Sequence, residues 1–116
     1  MSDKFIIKVL ENKDGISLFE KWYYSIKDQQ TRRKILLRLK RISQGNLGDW
    51  KSVGNKVFEL RLDFGAGYRV YFSRYEDTVI ILLAGGDKST QQSDIKKAIQ
   101  LWEDYRNEVE KFLRNF

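Results

Sequence analysis

The chain predicts an α+β domain, a small and mainly antiparallel sheet with helices packed on one face, in the order β-α-α-β-β-β-α. Three observations carry this reading. Val57–Asp63 and Tyr68–Ser73 each alternate apolar and polar residues, and the short gap between them, Phe64-Gly65-Ala66-Gly67, holds two glycines, as a β-hairpin does. The run Thr78–Ala84 is apolar at every position from Val79, the pattern of a central strand covered on both faces. Two segments ahead of these strands and one after them space their apolar residues at the helical period.

In chain order, Phe5–Leu10 reads as a first strand at the edge of the sheet, followed by a turn at Asn12–Gly15. From Ile16 to Lys27, the residues Leu18, Phe19, Trp22, Tyr23 and Ile26 make one apolar helix face. A second helix runs from Gln29 to Ser43, with Ile35, Leu36, Leu39 and Ile42 inward. Around it lie Arg32, Arg33, Lys34, Arg38, Lys40 and Arg41, uninterrupted by any acidic residue, so its outer surface is a basic stripe. Gly45–Lys56 reads as a loop from its three glycines and two asparagines, and it brings Lys51 and Lys56 near the next strand. In the hairpin, Phe58, Leu60 and Leu62 with Tyr68, Val70 and Phe72 form the core side. Glu59, Arg61, Arg69 and Tyr71 are expected together on the other, solvated side. Gly85-Gly86-Asp87-Lys88 leaves the end of the sheet, and Ser89 or Thr90 caps a last helix. Ile95, Ala98, Ile99, Trp102, Val109, Phe112 and Leu113 keep its period nearly to the C-terminus. A helix of that length is expected to outlast the sheet and to offer its later apolar residues to a partner chain or a second copy.

Composition narrows the chemistry. At 116 residues the chain is long enough for one domain, 1–116, with its own core. It contains no cysteine, which excludes disulfides and thiolate metal sites and fits a reducing compartment. With no histidine, the usual general base, the usual zinc ligand and every Ser-His or Cys-His nucleophile are excluded as well. No stretch approaches the roughly 20 apolar residues of a membrane span, and the N-terminus lacks a cleavable leader pattern, so a cytoplasmic protein with no membrane partner is expected. Twenty-two Lys and Arg against 16 Asp and Glu give a net charge of +6, which favours an anionic partner, nucleic acid first. Neither GxxxxGK[ST] nor GxGxxG occurs, which disfavours a nucleotide-cofactor enzyme.

The element order, the run Phe58-Glu59-Leu60-Arg61, the segment Gly65-Ala66-Gly67-Tyr68-Arg69-Val70-Tyr71-Phe72, and Leu82-Leu83-Ala84-Gly85-Gly86-Asp87-Lys88-Ser89-Thr90-Gln91 followed by Asp94, Ile95 and Ala98 together resemble the HigB-like killer proteins of the RelE/ParE toxin superfamily. The resemblance covers almost the whole chain. It implies a RelE-like fold and the toxin of a bacterial type II toxin–antitoxin module, one that cuts messenger RNA on the ribosome. The partners it implies are a cognate antitoxin, a helix-turn-helix protein of the HigA kind, together with mRNA and the ribosome. No cofactor and no metal belong to this expectation. ParE-type members instead poison DNA gyrase, which leaves a toxin acting by protein binding as the alternative, and an inactive member retained for transcriptional control as a third.

Cleavage of this kind is attack of a ribose 2′-hydroxyl on the adjacent phosphate, and it needs a base, cations on the transition state and help for the leaving 5′-oxygen. The resemblance places Arg69 and Arg61 on the phosphate and Lys88 on the leaving oxygen. It leaves Glu59 as the candidate base, with Tyr71 or Lys56 as contributors. The lysines that RelE carries at the positions of Val57 and Glu59, and the tyrosine it carries at that of Ile95, are absent here. Arg32, Arg33, Arg38, Arg41, Lys51, Lys56, Tyr71 and Gln91 are the candidate contacts to RNA and ribosome. The same strand charges also suit a cross-strand ion network of about 0.2–1 kcal/mol per pair with no chemistry.

Overall fold

The computed structural model describes residues 4–116. Within them the chain forms β1 (Ile6–Leu10), α1 (Leu18–Ser25), α2 (Gln29–Ser43), β2 (Trp50–Gly54), β3 (Val57–Arg61), β4 (Arg69–Tyr75) and β5 (Val79–Gly86). A 3-10 turn at Lys88–Thr90, α3 (Gln91–Tyr105), a 3-10 segment at Arg106–Phe112 and β6 (Leu113–Asn115) complete it. One sheet runs β2-β3-β4-β5-β1-β6, with β1 parallel to β5 and every other pair antiparallel. No helix among the described residues is long and apolar enough to cross a membrane. Met1–Asp3, part of the segment read above for a leader, lie outside the described residues.

Local chemistry sets the element ends. The Ser17 hydroxyl accepts from the Glu20 amide at the start of α1, and the Asp28 carboxylate accepts from the Gln30 amide and the Thr31 hydroxyl at the start of α2. The β2–β3 connection is a two-residue turn with positive φ at Asn55 and Lys56, the handedness that matches twisted strands, and the three-residue β4–β5 connection, Glu76-Asp77-Thr78, has positive φ at Glu76 and Asp77. The segment read as a loop before Val57 therefore contains a strand, β2, joined to β3 through Asn55-Lys56. Its glycines mark the loop before that strand, a bulge between Ser52 and Gly54, and the turn.

The sheet is covered on both faces, not one. Under α1 and α2 lie Val9, Phe19, Ile35, Leu39, Leu60 and Phe72 among others, and under α3 lie Leu10, Tyr71, Ile81, Leu83, Ala98 and Trp102. The side of β3 and β4 expected to be solvated is thus a second core face, and Glu59, Tyr71 and Ser73 have no solvent exposure. β1 also differs from the expectation: it sits between β5 and β6, because the C-terminal residues return as a strand along it. The last helix stops at Tyr105, and a non-helical Glu108 (φ −130°, ψ 31°) turns Val109, Phe112 and Leu113 back onto the α3 core, so these residues find their apolar surroundings within the chain. On α2, Ile35, Leu39 and Ile42 are buried as expected, whereas Leu36 is 43% exposed. β5 is central as read, but it runs on through Gly85 and Gly86.

Candidate functional site

The antiparallel register of β3, β4 and β5 places Arg61 opposite Arg69, Arg69 opposite Gly86, and Glu59 opposite Tyr71. With a side-chain period of two, Glu59, Arg61, Arg69 and Tyr71 share the face that α3 covers. Glu59 is 0% exposed and is the hub of the cluster. One carboxylate oxygen, Oε1, accepts from Arg61 Nε at 3.2 Å. The other, Oε2, accepts from the Tyr71 hydroxyl at 3.1 Å and from Gln91 Nε2 at 2.8 Å, with Arg69 Nε 3.6 Å away. A buried carboxylate with both oxygens occupied is satisfied as an anion. Burial alone pushes the Glu59 carboxyl up, but donors from Gln91, Arg61 and Tyr71 and the charge of Arg69 outweigh it and hold the group below its ordinary 4.5. Tyr71 moves the other way: burial first, then the adjacent Glu59 charge, push its phenol far above the ordinary 10.0.

The two arginines differ in access. The Arg61 side chain is 39% exposed and that of Arg69 is 11% exposed. Arg69 also donates from Nη1 to the Gly67 carbonyl at 2.6 Å. Gly67 has φ +76°, and a Cβ there would lie 3.2 Å from Lys88 Cβ and 3.3 Å from Arg69 Nη1, so the lysine stem and the guanidinium flank one bare stretch of backbone. The Lys88 amide donates to the Ala66 carbonyl at 3.4 Å, tying the exit of β5 to the β3–β4 connection. Asp87 caps the 3-10 turn through the Ser89 amide, and donors from Ser89, with a smaller contribution from the charge of Arg69, hold its carboxyl below the usual range.

Gly85 and Gly86 are required by packing. A Cβ on Gly85 would lie 2.1 Å from the Trp22 ring of α1, and one on Gly86 would lie 1.8 Å from Asp94 Oδ2 of α3. The end of β5 is thereby pinched between helices on its two faces, which brings Gln91 of α3 within reach of Glu59.

The structure thus brings Glu59, Arg61, Arg69, Tyr71, Gln91 and Lys88 to one end of the central strands. Lys51 is exposed on β2, opposite Glu59 in the register. Arg38 and Arg41 lie on a groove beside Arg61, between α2 and the ends of β2 and β3. Lys56 is in the turn at the far end of β3 from Arg61. Arg32 points its guanidinium at the Ile26 carbonyl and lines a separate hollow with Tyr24, Leu36 and Phe116, while Arg33 is exposed on α2. Two participants were not among the candidates: Asp87, whose place before Lys-Ser-Thr is an N-cap signal, and Lys34, which belongs to the same basic stripe as Arg38. Among the described residues, no three His, Cys, Asp or Glu side chains come together to hold a metal ion. Chemically, the arrangement offers fixed guanidinium donors and an exposed ammonium around a glycine-rich strand end, which suits a phosphate or another compact anion.

Residues 25–103 match the family described as Phage derived protein Gp49-like (DUF891). A protein of Haemophilus influenzae (strain ATCC 51907 / DSM 11121 / KW20 / Rd), named only as an uncharacterized protein, is 50% identical over 80 residues, which cover 69% of this chain and 81% of that protein. The family match takes in α2, β2 to β5 and most of α3, and so every residue of the Glu59 cluster.

Proposed function

We propose, from the premise that this chain belongs to the Gp49-like phage-derived family, a toxin-like family related to the RelE/ParE-type toxins, that it is a HigB-like toxin acting as a ribosome-dependent mRNA endoribonuclease. The family is commonly the toxin of toxin–antitoxin modules, and a toxin-like chain implies an antitoxin partner. The finer reading, with residues 1–116 as one toxin domain, a cytoplasmic site of action and a HigA-like helix-turn-helix antitoxin, is ours. The observation that carries it is the pair Arg61 and Arg69, opposite one another on β3 and β4 and both anchored on a buried carboxylate, with Lys88 flanking Gly67 alongside Arg69.

In this mechanism the ribose 2′-oxygen attacks the adjacent phosphorus, the bond from phosphorus to the 5′-oxygen breaks, and a cyclic phosphate and a free 5′-hydroxyl result. Arg61 and Arg69 hold the non-bridging oxygens as negative charge builds on them, a service suited to planar guanidiniums already fixed in place. Lys88 delivers its proton to the departing 5′-oxygen. The proton of the 2′-hydroxyl passes to water. Glu59 acts as a positioning residue: both its oxygens are engaged below the surface, so it orients the arginines and does not take the proton. Tyr71 and Gln91 serve the same purpose by fixing Glu59. Lys51 and the exposed arginines of α2 supply contacts to RNA and ribosome.

The test is induction in a bacterial host without antitoxin, with mapping of mRNA 5′ ends for the parent and for Arg61→Ala, Arg69→Ala and Lys88→Ala. In-frame cuts within translated regions that disappear in the variants are the expected result. Growth arrest with intact mRNA would overturn the nuclease reading and point to a protein target, as in the gyrase poisons.

A further inference from the structure

A concavity beside the cluster lies between α2 and the ends of β2 and β3, with a volume of about 430 Å3. Its lining carries Lys34, Arg38, Arg41 and Arg61 against the carboxylates of Asp49 and Asp63, together with the ring of Phe64. We propose that this groove is a track for single-stranded RNA leading to Arg61, an inference that rests on the nuclease reading above.

Three features argue for it. Arg61 lines the groove and also bonds Glu59, so a strand in the groove runs directly onto the proposed phosphate site. Lys34 and Arg41 are exposed, and neither takes part in an ion pair among the described residues, so both are open to an anion. Lys34 Nζ sits 5.2 Å from the centre of the Phe64 ring, which places a cation beside a half-buried aromatic face. Phosphate contacts from cations combined with stacking on aromatic rings are how proteins hold single strands without reading sequence.

Arg38 has a different task. It donates to the Leu47 carbonyl at 2.6 Å, and Gly48 (φ +66°) leaves no room above it, since a Cβ there would lie 2.1 Å from Arg38 Nη2. Burial, then the neighbouring Arg41 charge, lowers the pKa of Arg38, as expected of a guanidinium built into the groove wall. The floor of the track is therefore set by an arginine latched to the loop, and Lys34, Arg41 and Arg61 face the strand. An acidic protein segment is the competing occupant, but the guanidinium forks and the aromatic ring favour a phosphodiester chain with bases.

The experiment uses the full chain and a fluorescent single-stranded RNA oligonucleotide with 2′-O-methyl riboses, which cannot be cut, so binding is read apart from cleavage. Lys34→Glu and Arg41→Glu are compared with Lys96→Glu, an equal charge change at an exposed position of α3, and thermal unfolding checks each fold. Each groove reversal should weaken binding about tenfold or more and lower the salt slope by about 0.7 for each phosphate no longer neutralised, while Lys96→Glu stays close to the parent. Absence of binding by the parent, equal affinity in the groove variants, or equal competition by polyglutamate would each overturn the track. Binding that maps to the groove while mRNA stays intact in cells supports the track and sinks the nuclease reading. Intact cleavage with unchanged binding in the groove variants does the reverse.

Discussion

Replacing Glu59 isolates the energetic centre of the site. The carboxylate is fully buried, and its ion pair with Arg69 involves a guanidinium only 11% exposed. Removing one partner of a buried pair leaves an uncompensated charge and costs about 3–5 kcal/mol. The low end applies here, because Arg69 keeps its bond to the Gly67 carbonyl and lies near Asp87. The Arg61 pair adds little, since that arginine is well exposed. Glu59→Ala should therefore cost about 3 kcal/mol, and Glu59→Gln, which keeps an acceptor but loses the charge, about 2 kcal/mol. At roughly 4 °C per kcal/mol for a chain of this size, the alanine variant should melt about 12 °C below the parent at pH 7.

Acid supplies the internal control. The folded-state pKa of Glu59 is depressed below 4.5, so its contribution is fully present above that value and is lost as pH falls through the folded pKa. The gap between parent and Glu59→Gln should be constant at neutral pH and should narrow as pH drops below about 4.5. The assay is urea denaturation followed by tryptophan fluorescence across that range. A glutamine variant as stable as the parent at pH 7, or a gap that does not change on acidification, would refute the account of Glu59 as a buried counter-ion.

Further expectations follow from the same geometry. Neither Glu59, held below its usual value, nor Tyr71, pushed above its own, changes charge between about pH 5 and pH 9. On the nuclease proposal, RNA cleavage by the purified protein with ribosomes should accordingly show no step assignable to either residue in that interval, and a midpoint that shifts in Tyr71→Phe would contradict this. Gly86→Ala should cost about 1–3 kcal/mol, because the new methyl meets Asp94 where α3 joins the sheet; a chemical melt within error of the parent would show that α3 moves aside freely. Lys56 holds φ +65° in the β2–β3 turn, so Lys56→Gly should raise stability by about 0.5–1 kcal/mol in the same melt, and a decrease would argue against the turn geometry.

The hairpin of β3 and β4 was legible because alternation and two glycines are local signals, and α2 was legible because its apolar residues keep the helical period from Ile35 to Ile42. The second core face was not. Glu59, Tyr71 and Ser73 read as solvated because polarity usually marks exposure, and only tertiary packing of α3 shows that their polar atoms are satisfied internally. β2 was hidden for a related reason: Trp50–Gly54 is short and edge-placed, and it depends on pairing with β3. The C-terminus misled through period alone. Val109, Phe112 and Leu113 sit at helical spacing from Trp102, yet the break at Glu108 lets the chain return along β1. Of the site, Glu59, Arg61, Arg69 and Tyr71 could be grouped from register and Lys88 joined them through the family resemblance, whereas the partition of Glu59's two oxygens among three donors, with Arg69 as a nearby charge, could not be read.

That partition bears on how a chain without histidine could cleave RNA. Had Glu59 been exposed, it would have been the obvious base, at the cost of leaving two arginines to repel each other across β3 and β4. Buried, it is a fixed anion that allows Arg61 and Arg69 to be placed close together, so on the nuclease proposal little reorganisation would remain when charge develops on a bound phosphate. The arrangement couples stability to function at Glu59 but not at Lys88, which is exposed and forms no ion pair among the described residues. Loss of activity at Lys88 with an unchanged melt, set beside loss of both at Glu59, separates the residue that meets the substrate from the one that holds its neighbours in place.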